Sequence, residues 1–358
     1  MTGRPSFMSE SPDKVSPAND VLSDVLRAVR LTGAVFFSID ATAPWALEGP
    51  PAIVIGPFIR PGVEHVVQFH AIASGSCWGG LLDEPAVELQ AGDFLVLPQG
   101  SRHCLSSAPG MRGDFVQVQL DPSARGPLPL PVRIGTGNGA HCQLICGFLG
   151  CDARPFNPLL SAMPRKMLVA RAIQKDAVLA RFVELALAES SALSAGRESV
   201  LARLAELMFV EAVRRYVAAA PEQSGWLAGV SDELVGRSLS ALHGRPRHPW
   251  TLDDLAKAAG ASRSVLAERF ASLVGMAPMQ YLAQWRMQLA SELLSGTSAS
   301  LAEISDRVGY GSEAALSRAF KRIVGVSPKQ WRNGIRAPSL QRKTGGSTGH
   351  GIGRPPGS

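Results

Sequence analysis

"SLAEISDRVGYGSEAALSRAFKRIVGVSP", residues 300–328, repeats with one added turn residue the pattern of "TLDDLAKAAGASRSVLAERFASLVGMAP", residues 251–278. Aligned on their glycines, the two stretches keep the same Phe-Gly-Pro spacing, with Phe270, Gly275 and Pro278 in the first and Phe320, Gly325 and Pro328 in the second. An internal duplication indicates repeated architecture. The two copies therefore predict two equivalent folded units within the last 110 or so residues of the chain.

Each copy carries the signals of two short helices joined by a tight turn. The first helix begins at an N-cap followed three residues later by an acidic side chain, Thr251 with Asp254 or Ser300 with Glu303. Such a pair satisfies free amides of the first helical turn. The first helices end at Gly260 and Gly309, and the second helices start within about three residues, capped by Ser262 and Ser312. This arrangement predicts a helix-turn-helix in each copy.

The second helix of each copy has an apolar and a polar side. The apolar positions, which we expect to lock it against the first helix, are Leu266, Phe270 and Leu273 in one copy and Leu316, Phe320 and Ile323 in the other. The opposite sides carry Arg263, Ser264, Ala267 and Glu268, or Glu313, Ala314, Ser317, Arg318 and Lys321. These side chains are free to enter a DNA major groove. The alternative, a helical repeat that only packs, is disfavoured by two copies with matching caps.

A helix is predicted between the copies by "PMQYLAQWRMQLASELLSG", residues 278–296. Proline stands at its first helical position, and Leu282, Trp285, Leu289 and Leu293 form an apolar stripe. About 18 residues give a rod of about 27 Å. This approaches the distance of about 34 Å between successive major-groove faces, so one chain could place two reading helices on one side of a duplex.

Residues 231–336 resemble the DNA-binding domain of the AraC/XylS family of bacterial transcription regulators. The stretch "GYGSEAALSRAFKRIVGVSPKQWR" is similar to the family signature, with Leu316 where an aromatic residue is common. The resemblance implies seven helices, double-stranded DNA as partner, RNA polymerase as a further partner, and base reading by helices near 262–273 and 312–323. It implies these candidate DNA-binding residues: Arg263, Ser264, Ala267, Glu268, Ser312, Glu313, Ala314, Ser317, Arg318 and Lys321. Ala267 and Ala314 could offer only apolar contact.

The first half of the chain reads as short strands. Apolar segments broken by Gly and Pro run from about residue 33 to 135: "AVFFSI", "AIVIGPFI", "HVVQFHAIA", "AVELQ", "DFLVLPQG" and "DFVQVQL". Strands at this spacing predict an antiparallel barrel or sandwich. From about 158 the pattern becomes helical, so the fold class is α+β with at least two domains. The helix near 198–217 buries one face, against the barrel or against a second subunit.

The stretch "GDFLVLPQGSRHCLSS", residues 92–107, is similar to the second cupin motif, with Ser107 in place of the final Asn. The strand of the first motif holds His65 and His70 without a matching Glu, and residues five apart in a strand face opposite sides. Because two histidines make a poor ligand set, we predict no metal and no cofactor. The wider N-terminal part resembles the cupin-type effector-binding domain of one branch of the same regulators. It implies an effector pocket near His70, Trp78 and His103.

Five cysteines, at positions 77, 104, 142, 146 and 151, fit reduced thiols better than a disulfide framework. Cys142 and Cys146 are candidate redox residues, because a regulator can use oxidation as input. Inert core thiols are the alternative, since cysteine is among the most buried residue types.

Composition is compatible with an acidic partner. There are 36 Lys plus Arg against 30 Asp plus Glu, a net charge of +6 and a sequence pI near 9.3. No apolar run reaches the roughly 18 to 20 residues of a membrane span, and no secretory leader is evident, so a cytoplasmic protein is expected. The predicted domains are a disordered tail (1–20), an effector-binding and dimerisation domain (21–220), a linker (221–230), the DNA-binding domain (231–336) and a basic tail (337–358).

Two functions remain to be compared. The first is a sequence-specific transcription regulator that is not an enzyme, controlled by a small molecule or by thiol oxidation and active as a monomer or homodimer. The second is a cupin enzyme fused to a DNA-binding module. The incomplete metal set argues against the second, and the chain shows no nucleophile-and-base motif or phosphate-binding Gly loop.

Overall fold

The computed structural model describes residues 20–59, 65–113, 128–169, 178–192, 194–219 and 225–334. The first half contains α1 (Val21–Ala28), β1 (Thr32–Thr42), β2 (Ala46–Gly49), α2 (Ala52–Ile59), β3 (His65–Ser74), β4 (Ser76–Leu81), β5 (Val87–Gln90), β6 (Phe94–Leu97), β7 (His103–Ser106), β8 (Leu130–Ile134), β9 (His141–Cys151), α3 (Pro158–Ala162), β10 (Met167–Val169), α4 (Val178–Ser191) and α5 (Arg197–Ala219). The second half contains α6 (Trp226–Ser231), α7 (Glu233–Gly244), α8 (Leu252–Ala259), α9 (Arg263–Val274), α10 (Pro278–Gly296), α11 (Leu301–Arg307), α12 (Glu313–Val324) and α13 (Pro328–Arg332). The α+β class is confirmed.

Two sheets face each other in the first half. One has the order β10-β6-β3-β9-β1-β8 and the other β2-β7-β4-β5. The pairing is antiparallel except between β1 and β8, which run parallel. Side chains from both sheets, among them Ile39, Leu95 and Leu144 from the first and Leu89 and Leu105 from the second, form the core between them.

The six-stranded sheet is buried on its outer face as well. Alternate residues of β3, including Val67, Phe69 and Ala71, point away from the inner core and pack with helices. The Phe69 ring covers Gly147 of β9 and stacks on Phe94 at 5.2 Å. Burial on both faces explains why β6 (FLVL) reads as a continuous apolar run and why residues 66–72 of β3 are all buried.

The helix α5 packs on this outer layer, so the barrel is one of its partners. Leu201, Leu204, Met208 and Val213 are buried as the spacing predicts, whereas Val200 is 46% exposed. The carboxylate of Glu206 accepts a hydrogen bond from the Gly33 backbone amide at 2.9 Å and ties α5 to β1.

One predicted strand is wrong. "AIVIGPFI", residues 52–59, forms the helix α2. The run is apolar throughout and has no alternation that would specify a strand, and it follows Pro50-Pro51, where proline favours a first helical turn. The segment "DFVQVQL", residues 114–120, lies outside the described residues.

The linker prediction also needs correction. From residue 225 onward the proposed linker is folded, because Trp226 and Leu227 of α6 are buried in the main core. The continuously described residues 225–334 hold seven helices after α6, as the resemblance implies. The boundaries predicted for the domains otherwise remain predictions.

Candidate nucleic-acid interface and barrel core

The first helix-turn-helix unit consists of α8 and α9. The Thr251 hydroxyl caps α8 by accepting a hydrogen bond from the Asp254 backbone amide at 3.1 Å. The helix ends at Gly260, whose φ of 75° is a left-handed conformation that glycine adopts without steric penalty. The Ser262 hydroxyl then caps α9 through the Val265 amide at 3.3 Å. The short turn between these caps fixes the entry of α9.

The second unit consists of α11 and α12 and is capped more completely. Ser300 and Glu303 form a reciprocal capping box, with hydrogen bonds of 3.2 Å and 2.7 Å between the backbone amide of each residue and the side chain of the other. The bonds from the Ser300 amide and hydroxyl lower the pKa of Glu303. The Ser312 hydroxyl caps α12 through the Ala315 amide at 3.2 Å, so this candidate DNA-binding residue also has a structural role.

The candidate DNA-binding positions lie on the outer sides of α9 and α12. Eight of the ten are exposed, and Ala267 and Ser317 are half-buried. The apolar positions of the same helices face inward, where Leu266, Phe270, Leu316 and Phe320 are buried. A binding role for the ten residues stays a prediction, but their side chains are placed where a duplex could reach them.

The two helices differ in electrostatic state. In the first unit, Arg263 pairs with Asp253 at 3.2 Å and Arg269 donates two hydrogen bonds to Asp232, at 3.0 Å and 2.8 Å. On α12, Arg318 and Lys321 form no ion pair among the described residues. At Arg318 and Lys321 the second helix therefore presents positive charge that is not paired with any carboxylate in the part of the chain that the structure describes.

The helix α10 joins the units and contacts the first half of the chain. Its 19 residues give a rod of about 28 Å. Gln288 is buried, accepts a hydrogen bond from the Phe156 amide at 3.1 Å and donates to the Ala28 carbonyl at 2.8 Å. Both partners belong to the first half, so α10 is held there through a satisfied buried amide. The sequence gives no sign of this contact, because nothing in the pattern of α10 distinguishes Gln288 from a surface glutamine.

Inside the barrel the structure brings His70, His103 and Cys146 together. His70 Nε2 lies 2.7 Å from His103 Nε2, and His70 Nδ1 lies 2.8 Å from Cys146 Sγ. His103 Nδ1 is 3.0 Å from the Ser101 carbonyl, which can only accept, so this nitrogen carries the proton and His103 Nε2 is bare. His70 must then donate through Nε2, and its Nδ1 accepts from the thiol.

The result is a directed chain from Cys146 S–H through both imidazoles to a backbone carbonyl, with every donor matched. Burial lowers the pKa of His70 well below its usual value and lowers that of His103 to about 4. Burial raises the pKa of the Cys146 thiol. The resting cluster is therefore neutral at physiological pH.

Trp78 is separated from these histidines. In the register of β4 and β7, Leu81 pairs with His103 and Trp78 pairs with Ser106. Because alternate residues face opposite sides of a sheet, Trp78 lies on the opposite face from His103. His70 and His103 thus share one site in the barrel core, and Trp78 lies outside it.

Cys142 and Cys146 share the inner face of β9 but stand four residues apart, about 13 Å along a strand. Each has a different partner, because Cys142 meets Cys77 of β4 across the two sheets. A hydrogen bond from the Cys77 thiol lowers the pKa of Cys142, and the same bond, with burial, raises that of Cys77. The sequence does not reveal the pairing of Cys77 with Cys142, since the contact depends on how the sheets stack.

Metal and membrane features can be stated for the described part of the chain only. There, no three His, Cys, Asp or Glu side chains are grouped as metal ligands. Among the same residues, none of the helices combines the length and the apolarity that a membrane span requires.

Two families match different parts of the chain. Residues 20–218 match a family described as Cupin, and residues 255–334 match one described as Helix-turn-helix domain. An AraC-like transcription regulator of Streptomyces lividans is 33% identical over 323 residues, which cover 87% of this chain and 98% of that protein. The HTH-type transcriptional regulator AlkR of Acinetobacter baylyi is 30% identical over 321 residues, with 87% and 99% coverage.

A solved structure is similar to the C-terminal part. It is the DNA-binding domain of AdpA, a global transcriptional factor, in complex with a target DNA. The identity is 33%, the match covers 32% of this chain and 99% of that chain, and the TM-score is 0.28.

Proposed function

The chain belongs to the AraC/XylS family of transcription regulators with an N-terminal cupin domain, and on that premise we propose how it reads DNA and receives its signal. It is a sequence-specific DNA-binding regulator controlled through the cupin domain. In our proposal, α9 and α12 are the reading helices and use the ten candidate DNA-binding residues. The observation that carries this is the exposure pattern: eight of those positions are exposed and two half-buried, while their apolar neighbours are buried.

Capture and sequencing of genomic fragments by the purified full-length protein tests this assignment. We expect a motif of two blocks about one helical turn apart, one for each reading helix. A motif with a single block would contradict double reading. Failure to enrich any sequence, with and without oxidant, would contradict the proposed reading surface.

The signal enters the barrel core at the cluster of His70, His103 and Cys146. A small molecule could displace the buried hydrogen bonds, or an oxidant could modify the thiol. With a peroxide, the Cys146 sulfur attacks one oxygen, the O–O bond breaks, and the departing hydroxide takes the thiol proton to form water and a sulfenic acid. The thiol proton starts in a hydrogen bond to His70 Nδ1. Because burial lowers the pKa of His70, the proton does not stay on the imidazole but passes to the hydroxide.

A thiol variant separates these inputs. If oxidation is the signal, Cys146→Ser abolishes the change in DNA affinity caused by peroxide, while the control Cys104→Ser retains it. Cys104 is suited as control because its sulfur donates to the backbone carbonyls of Leu105 and Met111 and not to either histidine of the cluster. A response that survives in Cys146→Ser would exclude Cys146 as the sensor, and no response in the unmodified protein would favour a small-molecule effector.

The signal reaches the DNA-binding half through α1 and the loop before α3. Gln288 binds Ala28 and Phe156, and Asp24 of α1 lies 3.7 Å from the buried His243 of α7. A shift of the barrel's outer layer therefore moves groups that are hydrogen-bonded to α10. Hydrogen exchange of the Phe156 amide and of α10, measured with and without the effective signal, tests this route, and an unchanged exchange pattern would contradict it.

A homodimer is proposed on the helical pair α4 and α5. On each helix two large apolar side chains that lie seven residues apart are exposed: Val178 and Leu185 on α4, Val200 and Leu207 on α5. An apolar stripe of this period suits packing against a second copy. Sedimentation at micromolar concentration should show a dimer, and Leu207→Glu should give a monomer; a monomeric unmodified protein would oppose the proposal.

We further propose that the barrel is a sensor without enzymatic activity and that the DNA-bound protein contacts RNA polymerase. Both nitrogens of His70 and both of His103 are engaged within the cluster or with Ser101, which leaves no open ligand position in the resting state. Stoichiometric metal in protein purified without chelator would contradict this assignment. Transcription from a captured fragment with purified RNA polymerase tests the proposed contact with the polymerase.

A further inference from the structure

A loop before the first unit reaches across to the second unit. Residues 245–250, between α7 and α8, are stiffened by their own contacts, because Trp250 Nε1 donates to the Arg245 carbonyl at 3.0 Å and the Arg245 guanidinium lies 4.8 Å from the Trp250 ring centre. Trp250 is buried in the main core. The loop is therefore held rigidly where it enters the first helix-turn-helix unit.

Arg286 of α10 holds this loop. Its Nε donates to the Pro246 carbonyl and its Nη2 donates to the His248 carbonyl, both at 2.8 Å. The planar guanidinium can satisfy two carbonyls at once, which the single ammonium of a lysine cannot do with the same fixed geometry. The same guanidinium lies 5.7 Å from the ring centre of Tyr310 in the turn of the second unit.

The turn of the second unit closes against the same loop. Gly309 has φ of 81°, and a Cβ there would lie 2.7 Å from the Arg247 carbonyl oxygen and 2.9 Å from an Arg286 nitrogen. A further link across the gap is the ion pair of Arg247 with Asp306 of α11, at 2.6 Å. The hydrogen bonds of Arg286, its contact with Tyr310, the close approach at Gly309 and the Arg247–Asp306 ion pair thus join the loop and α10 to the second unit.

The second unit has a core of its own. Its core is formed by α10, α11, α12 and α13 and is separate from the core that the first unit shares with the barrel. A small bundle attached through one helix can tilt about that helix unless a second contact off the axis restrains it. The contacts of Arg286 supply that restraint.

We propose that Arg286 is a positioning residue that sets the angle between the two reading helices and so determines the spacing between the DNA blocks they accept. This inference rests on the proposed function, in which both α9 and α12 bind DNA. One added base pair moves a block by about 3.4 Å and rotates it by about 35° around the duplex. A rigid pair of reading helices rejects that change, whereas a pair with a loosened hinge accepts it.

The experiment measures affinity for a captured two-block fragment and for versions with one base pair added or removed between the blocks. We expect the full-length unmodified protein to lose about 10-fold or more with either change, in the range of a mismatched site. Arg286→Gln should reduce this loss to about 3-fold or less while affinity for each single block stays the same. Arg286→Lys should be intermediate, since a single donor nitrogen replaces the two that Arg286 uses.

Arg332→Gln is the matched control. Arg332 also donates to a backbone carbonyl, that of Ala299 at 2.6 Å, but this bond lies within the second unit. Arg332→Gln should leave unchanged the ratio between the affinities for fragments with the correct and the altered spacing. The contacts of Arg286 and the Arg247–Asp306 ion pair together form a clamp between the two units. Asp306→Ala removes the ion pair alone, and Arg286→Lys decides the question by the same ratio if Arg286→Gln does not fold.

The outcomes separate the two levels of inference. If the unmodified protein shows no spacing dependence, double reading itself is wrong. If it does and Arg286→Gln keeps the same ratio, the clamp is not what sets the spacing. An equal loss by Arg286→Gln on every fragment, single blocks included, would mean that Arg286 binds phosphate and would also overturn the proposal.

Discussion

The two helix-turn-helix units share their caps, turns and Phe-Gly-Pro spacing but pack against different neighbours. Phe270 and Leu266 of the first unit join a core that continues through α1 and the outer face of the six-stranded sheet. Phe320 and Leu316 of the second join a small core closed by α10, α11 and α13. The difference shows that a duplicated sequence can serve two mechanical roles, one unit fused to the sensor and one carried at the end of a rod.

The same contrast extends to charge. The first reading helix has its arginines paired with Asp253 and Asp232, whereas Arg318 and Lys321 of the second form no ion pair among the described residues. Because long-range attraction to DNA comes from unpaired positive charge, the second unit should contribute more to affinity and the first more to control.

The largest expected effect distinguishes the two cores. Phe270→Ala and Phe320→Ala each remove a fully buried ring and should lower the free energy of unfolding by about 3 to 5 kcal/mol. Hydrogen exchange should show the loss of protection confined to the α10–α13 region for Phe320→Ala and spreading to β3 and α1 for Phe270→Ala. If protection were lost over the same region in both variants, the two units would not belong to separate cores.

The next effect tests the link between sensor and rod. Gln288→Ala leaves the Ala28 carbonyl and the Phe156 amide buried without their partner, at about 1 to 3 kcal/mol for each unsatisfied group. Denaturant titration should show the lower stability, and the DNA response to the signal should weaken. Gln284→Ala on the same helix serves as control, because Gln284 is only half-buried. If Gln288→Ala changed neither the stability nor the DNA response, the proposed route of the signal through Gln288 would be wrong.

Measurements of DNA binding test the electrostatic difference between the two units. Arg318→Ala should weaken specific binding by about 1 to 3 kcal/mol if Arg318 reads a base, and Arg263→Ala should cost less because Arg263 must first leave Asp253. Fluorescence anisotropy on specific and random duplexes measures both. An equal loss on the two duplexes would assign the arginine to phosphate contact.

The smallest effect comes from releasing Arg263. Asp253→Asn removes an exposed competing carboxylate and should raise DNA affinity about two- to five-fold at low salt, with less gain at high salt. Glu233→Gln is the control, since this substitution removes the same charge from a residue that pairs with Arg237 on α7 and not with Arg263. If both variants gain equally, the effect is one of net charge and not of the Arg263 pair.

Sequence reasoning located the reading units because their signals are local. Caps, glycine turns and apolar spacing act within about ten residues, so Thr251, Gly260, Ser300 and Gly309 could be assigned from the sequence and are confirmed as helix starts and turns. It failed where a signal was ambiguous or remote. The run at 52–59 is apolar on all sides and became a helix. The helix α1 (Val21–Ala28) was not anticipated, although Asp20 caps it and Val21, Val25 and Ala28 lie at helical spacing.

By itself, the sequence determined the α+β class, the two helix-turn-helix units, the rod between them and the cupin resemblance, since each follows from short-range spacing or a local motif. Only the tertiary structure decided that Cys146 faces His70, that Cys77 meets Cys142, that Gln288 joins the sensor to α10 and that Arg286 clamps the two units. Each of these contacts joins residues that the chain separates by 38 to 260 positions. Such pairs are selected by how sheets and helices stack, which leaves no periodic trace in the sequence.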